Sequence, residues 1–170
     1  MRFYFAYGSN LWVAQMNSRC PGHTRIGHGI LYGYRWIINT HGYATVVAAE
    51  NEMVQGVVYT LRAADEQKLD AYEEVSSGLY QKCECKVMLA DREVDCLVYI
   101  DPVTTEGRPD AAYITRINYG LRGAKLPDVY VEQTIRRFVP AISDDWMSAR
   151  KGARDAAVNG QGGAGGGGEA

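Results

Sequence analysis

The spacing of polar and apolar positions changes period several times along the chain. Phe3, Phe5 and Tyr7 alternate with Tyr4 and Ala6, the period-2 pattern of a buried strand, and the run stops at Gly8-Ser9-Asn10. Leu11, Val13, Ala14 and Met16 then follow the spacing of a short amphipathic helix. The order is strand, tight turn, helix, with Ser9 or Asn10 expected at the N-cap, where a side-chain oxygen accepts an orphan backbone N–H. Cys20-Pro21-Gly22 ends that helix. Residues 26–39 are rich in aromatic and β-branched side chains, with Gly27, Gly29 and Gly33 at positions for bulges or sharp bends, the mark of a curved barrel wall. A turn at 39–42 leads to a strand over 43–49. Asn51-Glu52 predicts another turn, and residues 54–61 a further strand.

Residues 62–74 are good helix formers with Leu69 and Tyr72 three apart, which predicts a helix of about three turns. In residues 80–90, Cys83, Cys85, Val87 and Leu89 alternate with Lys82, Glu84 and Lys86, an amphipathic strand. Asp91-Arg92-Glu93 closes a hairpin onto 94–100. Helical stretches at 111–122 and 128–139 are expected to pack on the sheet, with Leu126-Pro127 between them. The pattern predicts a mixed α/β (α+β) domain over residues 1–147. Residues 148–170 lack apolar periodicity and end in a glycine run, so a disordered tail is expected there.

Composition adds limits. A chain of 170 residues, 46% of them hydrophobic, suffices for one domain with a substantial core. The net charge of −2 and the absence of a basic stripe argue against a nucleic-acid partner. No apolar run approaches the roughly 20 residues that span a bilayer, and Met1-Arg2 lead straight into a strand, so no membrane partner and a cytoplasmic location are expected. Homodimerisation is left open. The layout of Cys83, Cys85 and Cys96 reads as strand packing, and no zinc-type Cys or His spacing is present, so no metal is expected.

Two features carry candidate chemistry. Gly8 lets a ligand oxygen approach the backbone, and the helix N-terminus adds partial positive charge, so Tyr7-Gly8-Ser9-Asn10 can cradle an anion; an ordinary capped turn is the alternative. Glu73 and Glu74 stand at the negative end of a helix dipole, where lysine or arginine is favoured. Sites of function are where such rules break, and solvated surface glutamates are the alternative.

Tyr7-Gly8-Ser9-Asn10-Leu11 after a first strand, His41-Gly42-Tyr43-Ala44-Thr45, Gly56-Val57-Val58-Tyr59, Leu69-Asp70-Ala71-Tyr72-Glu73, Ser77-Gly78-Leu79-Tyr80 and a late Leu126-Pro127 together resemble the γ-glutamylcyclotransferase family. The likeness runs to about residue 139. It implies a small mixed β-barrel with packed helices and a cavity at the turn. It also implies cyclisation of a γ-glutamyl compound to 5-oxoproline with release of an amino acid or amine, without metal or organic cofactor. Carried over by position, Glu73 matches the family's catalytic acid/base, Tyr7 to Leu11 match the loop that binds the glutamyl part, and Tyr80, Tyr99 and Tyr113 match aromatic residues of the cavity. Asparagine at position 10 resembles the branch acting on γ-glutamyl amino acids. Glu74 departs from the pattern, since the family usually has glycine there.

The chemistry of the residues fits that likeness. Closing a five-membered ring already benefits from intramolecular proximity, so an enzyme need only hold the carboxylate, supply a base that later protonates the leaving nitrogen, and stabilise an oxyanion. Three alternatives stay open: a ligand-binding module on the same fold, an inert interaction domain, and a cyclotransferase that removes a protecting γ-glutamyl group in small-molecule biosynthesis.

Overall fold

The computed structural model describes residues 1–149, so the expected tail lies outside the described residues from residue 150 on. Five strands, β1 (Arg2–Ala6), β2 (Thr24–Ile38), β3 (Ala44–Leu61), β4 (Gln81–Leu89) and β5 (Arg92–Ile100), close into a barrel in the order β1-β3-β2-β4-β5. All neighbours are antiparallel except β1 and β5, whose parallel pairing, Phe3 with Cys96 and Tyr4 with Leu97, shuts the barrel. The mixed α/β barrel expected from the sequence is the fold observed.

Close packing explains the glycines of the barrel wall. Gly29 pairs with Gly56, and a Cβ on Gly29 would lie 2.7 Å from Val58 Cγ2, while one on Gly56 would lie 2.2 Å from the Ala6 carbonyl oxygen. Their missing side chains make room for the ring of Phe5, which is wholly buried in the core that also holds Val58 and Val87. Burying such a ring stabilises by roughly 1.5–3 kcal/mol relative to leaving it in water.

Several boundaries differ from expectation. The turn expected at Asn51-Glu52 does not divide a strand, because β3 runs unbroken over Ala44–Leu61. Asn51 adopts a left-handed φ of 63°, and the register against β2 jumps from Tyr32–Met53 to Tyr34–Ala48. The strand bends through this irregularity, and residues 49–52 have no partner on β2 before pairing resumes. The helix expected over 128–139 splits into α4 (Asp128–Gln133) and a 3₁₀ turn (Ile135–Arg137). The last helix, α5 (Asp144–Ala149), runs past the expected domain boundary at residue 147, with Met147 buried and its carbonyl accepting a 3.1 Å hydrogen bond from Tyr119. No helix among the described residues is long and apolar enough to cross a membrane.

Three helices gather near the turn after β1: α1 (Val13–Arg19), α2 (Ala63–Tyr72) and α3 (Ala111–Ala124). Polar contacts fix the pose of α2. Glu66 receives Arg2 at 2.7 Å and Lys82 at 2.6 Å, and Asp70 receives Lys82 at 3.0 Å and the Tyr99 hydroxyl at 2.5 Å. Leu69, fully buried between these carboxylates, anchors the helix to the core. The C-terminal end of α2 is thereby aimed at the turn after β1.

Candidate active site

The segment after β1 differs from a capped strand-to-helix turn. Ser9–Leu11 form a 3₁₀ turn preceded by Gly8, and α1 starts at Val13 with Trp12 at its N-cap and no capping side chain. The expected cap by Ser9 or Asn10 is therefore absent, because the Asn10 side chain is bound elsewhere. The turn is held from outside: Trp36 Nε1 donates to the Tyr7 carbonyl at 2.9 Å, and the Tyr59 hydroxyl donates to the Asn10 carbonyl at 3.2 Å. Helix α3 presses on it so closely that a Cβ on Gly120 would stand 2.8 Å from Leu11 Cβ. The amides of Ser9 and Asn10 open the 3₁₀ turn and have no acceptor within it, and that of Ser9 faces the Tyr113 hydroxyl.

Beside this turn is a cavity of about 170 Å³. That is small against the 300–1,000 Å³ common for drug-sized ligands, and suits an amino-acid-sized one. Glu73 lines it from the C-cap of α2, where the helix ends with its carboxylate turned inward. Asn10 links the two sides. Its Nδ2 donates to Glu73 Oε1 at 3.2 Å and to the Tyr4 hydroxyl at 2.9 Å, while its Oδ1 accepts from Gln15 at 2.9 Å and Arg19 at 3.1 Å. Arg19 also stands 3.9 Å from Glu73 Oε1 and lies over the Tyr72 ring at 4.7 Å.

Burial raises the Glu73 carboxyl above the usual glutamate value of 4.5, and the Arg19 cation and the Asn10 amide oppose that rise. Its side chain keeps 16% of its accessible surface, so it is shielded yet reachable. A carboxylate in that setting can take a proton from a ligand and return it. Glu74 also borders the cavity, but it is exposed and sits at φ 50° and ψ 43°. The left-handed backbone at this position gives a physical reason for the glycine usual there.

The tyrosines divide by the fate of their hydroxyl protons. Tyr7 donates to the Tyr99 carbonyl at 2.5 Å, Tyr80 to the Ala44 carbonyl at 2.9 Å, and Tyr99 to Asp70. These three brace the cavity wall with protons already committed. Tyr113 instead accepts from the Ala44 amide at 3.1 Å and Tyr4 accepts from Asn10, so among the described residues both keep a proton free to donate. Burial pushes the Tyr113 hydroxyl up to about 12 and Tyr4 well above its ordinary value, which keeps both protonated at neutral pH.

Of the residues singled out in the sequence, Tyr7, Gly8, Ser9 and Asn10 border the cavity together with Glu73. Tyr80, Tyr99 and Tyr113 border it too. Leu11 does not: it is buried in the core under Gly120 and supports the turn from behind. Sequence reasoning missed Tyr4, Gln15, Arg19 and Arg116. The four-residue step from Gln15 to Arg19 places both on one face of α1 and was a signal for the pair. Among the described residues, no group of three or more His, Cys, Asp or Glu side chains is arranged to hold a metal ion.

Comparison with known proteins gives a consistent result. The mouse protein named gamma-glutamylcyclotransferase is 29% identical over 144 residues, covering 76% of this chain and 75% of its own, and the human protein of that name is 28% identical over 141. A solved structure named gamma-glutamyl cyclotransferase superposes with a TM-score of 0.74 at 25% identity, covering 89% of this chain and 98% of that one. YkqA from Bacillus subtilis shares the fold at 23% identity with a TM-score of 0.71, covering 83% of this chain and 56% of its own. Residues 4–117 match the family described as gamma-glutamyl cyclotransferase, AIG2-like, and the chain belongs to that family.

Proposed function

We propose that this protein is an enzyme that cyclises a γ-glutamyl amino acid or amine to 5-oxoproline and releases the amino acid or amine. The observation that carries the reading is the shielded Glu73 carboxylate, raised by burial and facing the same small cavity as the turn after β1. The backbone amides of Gly8, Ser9 and Asn10 hold anionic oxygen of the glutamyl part, as a helix-start turn favours. Glu73 takes a proton from the substrate's α-amino nitrogen. That nitrogen attacks the γ-carbonyl carbon, and the new C–N bond turns the carbonyl into an oxyanion. Collapse of the oxyanion breaks the original amide C–N bond while Glu73 returns its proton to the leaving nitrogen. Starting from an ammonium group, the attacking nitrogen loses a second proton to water, and the released amine gains one from water, so the balance closes. Tyr4 and Tyr113, with uncommitted hydroxyl protons, are the donors available to the polar substrate inside the cavity. Tyr7, Tyr80 and Tyr99 keep the wall in place.

Incubation with γ-glutamyl-alanine and detection of 5-oxoproline tests the reaction. Glu73→Gln keeps the size of the side chain and removes the base, so kcat should fall by roughly 10²–10⁴-fold with substrate affinity largely retained. Glu74→Gln should do far less. Near-native turnover by Glu73→Gln would exclude this glutamate as the acid/base.

A further inference from the structure

Among the described residues two cationic side chains border the cavity, and only Arg19 has a polar partner. Arg19 is engaged by Asn10 at 3.1 Å, stands 3.9 Å from Glu73 and lies over the Tyr72 ring. Arg116, on α3 and three residues beyond Tyr113, borders the same cavity with its guanidinium 6.0 Å from the centre of the Tyr113 ring. It is half-buried, and among the described residues no carboxylate pairs with it. We propose that Arg116 is a specificity-determining residue that binds the carboxylate of the departing amino acid, an assignment that rests on the reaction proposed above.

Charge matching leads to this assignment. A γ-glutamyl amino acid carries two carboxylates, and the turn amides serve the one on the glutamyl part. The attacking and leaving nitrogens both belong beside Glu73, and the rest of the departing amino acid has the wall formed by Tyr113, Tyr43 and Arg116 open to it in the same cavity. A guanidinium presents a planar fork of donors that matches a carboxylate, and such charge-assisted bonds are stronger than neutral ones. The Arg116 cation also acts against the upward shift that burial gives the Tyr113 hydroxyl. A γ-glutamyl amine has no carboxylate at this place and leaves Arg116 unpaired.

The test uses γ-glutamyl-alanine and γ-glutamylethylamide, which differ by that carboxylate alone. The wild-type protein should prefer the first in kcat/KM. Arg116→Gln should lower kcat/KM for γ-glutamyl-alanine by about 10- to 100-fold, mostly through KM, with a loss on the ethylamide at least about fivefold smaller. Arg116→Lys should restore part of the preference, and unchanged melting temperatures confirm intact folding. Equal losses on both compounds, or no loss on either, overturn the assignment. If the wild-type protein forms 5-oxoproline from neither, the proposed reaction falls, and calorimetric binding of the same two compounds decides the role of Arg116. Tighter binding of γ-glutamyl-alanine that Arg116→Gln abolishes supports it; equal affinities or absent binding overturn it.

Discussion

Replacing Gly120 with alanine tests how firmly α3 positions the turn. The added Cβ would stand 2.8 Å from Leu11 Cβ, 3.0 Å from the Trp12 nitrogen and 3.1 Å from the Leu11 carbonyl carbon. Two of these are backbone atoms and cannot swing aside. Restoring ordinary contact requires α3 and the turn to part by about 0.6 Å, and such overpacking costs about 1–3 kcal/mol. Alanine recovers about 1 kcal/mol through its better helix propensity. The net loss, up to about 2 kcal/mol, corresponds to a melting temperature lower by up to about 8 °C for a domain of this size. Activity is the more sensitive reading, since a 1 Å misplacement can cost about 10²-fold, so a shift of this size should cost about tenfold in kcat. Gly123 lies three residues on in the same helix with nothing within 4 Å of its absent Cβ, so Gly123→Ala should stabilise the protein by about 1 kcal/mol and leave turnover alone. The assay is a thermal melt followed by circular dichroism, paired with 5-oxoproline formation. If Gly120→Ala behaves as Gly123→Ala does, contact with α3 does not position the turn.

Glu74→Gly relieves a left-handed backbone that costs a side chain about 1–2 kcal/mol, less the chain entropy of glycine, so urea unfolding should show a gain of about 1 kcal/mol; a loss would mean that no strain is stored there. Because burial raises Glu73 and the base must be ionised, kcat/KM should rise with pH along an acid limb above 4.5, and Arg19→Gln should move that limb to higher pH; a limb that stays or moves down refutes the Arg19–Glu73 coupling. The same raised carboxyl contributes stability that is full below its unfolded-state value and lost as pH rises through the folded-state one. Glu73→Gln should therefore melt above the wild type at pH 7 and alongside it near pH 4, and equal melting temperatures at both would refute the shift.

Local pattern carried most of the barrel, because strand alternation and glycine placement are properties of neighbouring residues. It failed at Asn51, where β3 continues through an irregular step with a left-handed residue while the composition is that of a turn. Glu73 was legible as a charge at the wrong end of a helix. Asn10 was legible only as a turn residue, since its side-chain role depends on Tyr4, Gln15, Arg19 and Glu73, which the fold brings together from three other elements. Arg116 carries no such anomaly in sequence. A basic residue on a helix face looks like a solvated one until the cavity beside it is known.

The parallel seam between β1 and β5 also dictates when the site comes into being. Its partners, Phe3 with Cys96 and Tyr4 with Leu97, stand about ninety residues apart, and closing so long a loop is entropically expensive and slow. The hairpins β2–β3 and β4–β5 need only local contacts and can form early. Tyr4 and Tyr99, whose rings meet edge-on at 5.8 Å, face each other only across the finished seam. During synthesis the first strand can pair with β3, but its seam with β5 waits for the fifth strand to emerge, and the pocket between them is among the last features to assemble. Recovery of turnover on refolding should therefore lag behind recovery of strand signal, making activity a clock for barrel closure.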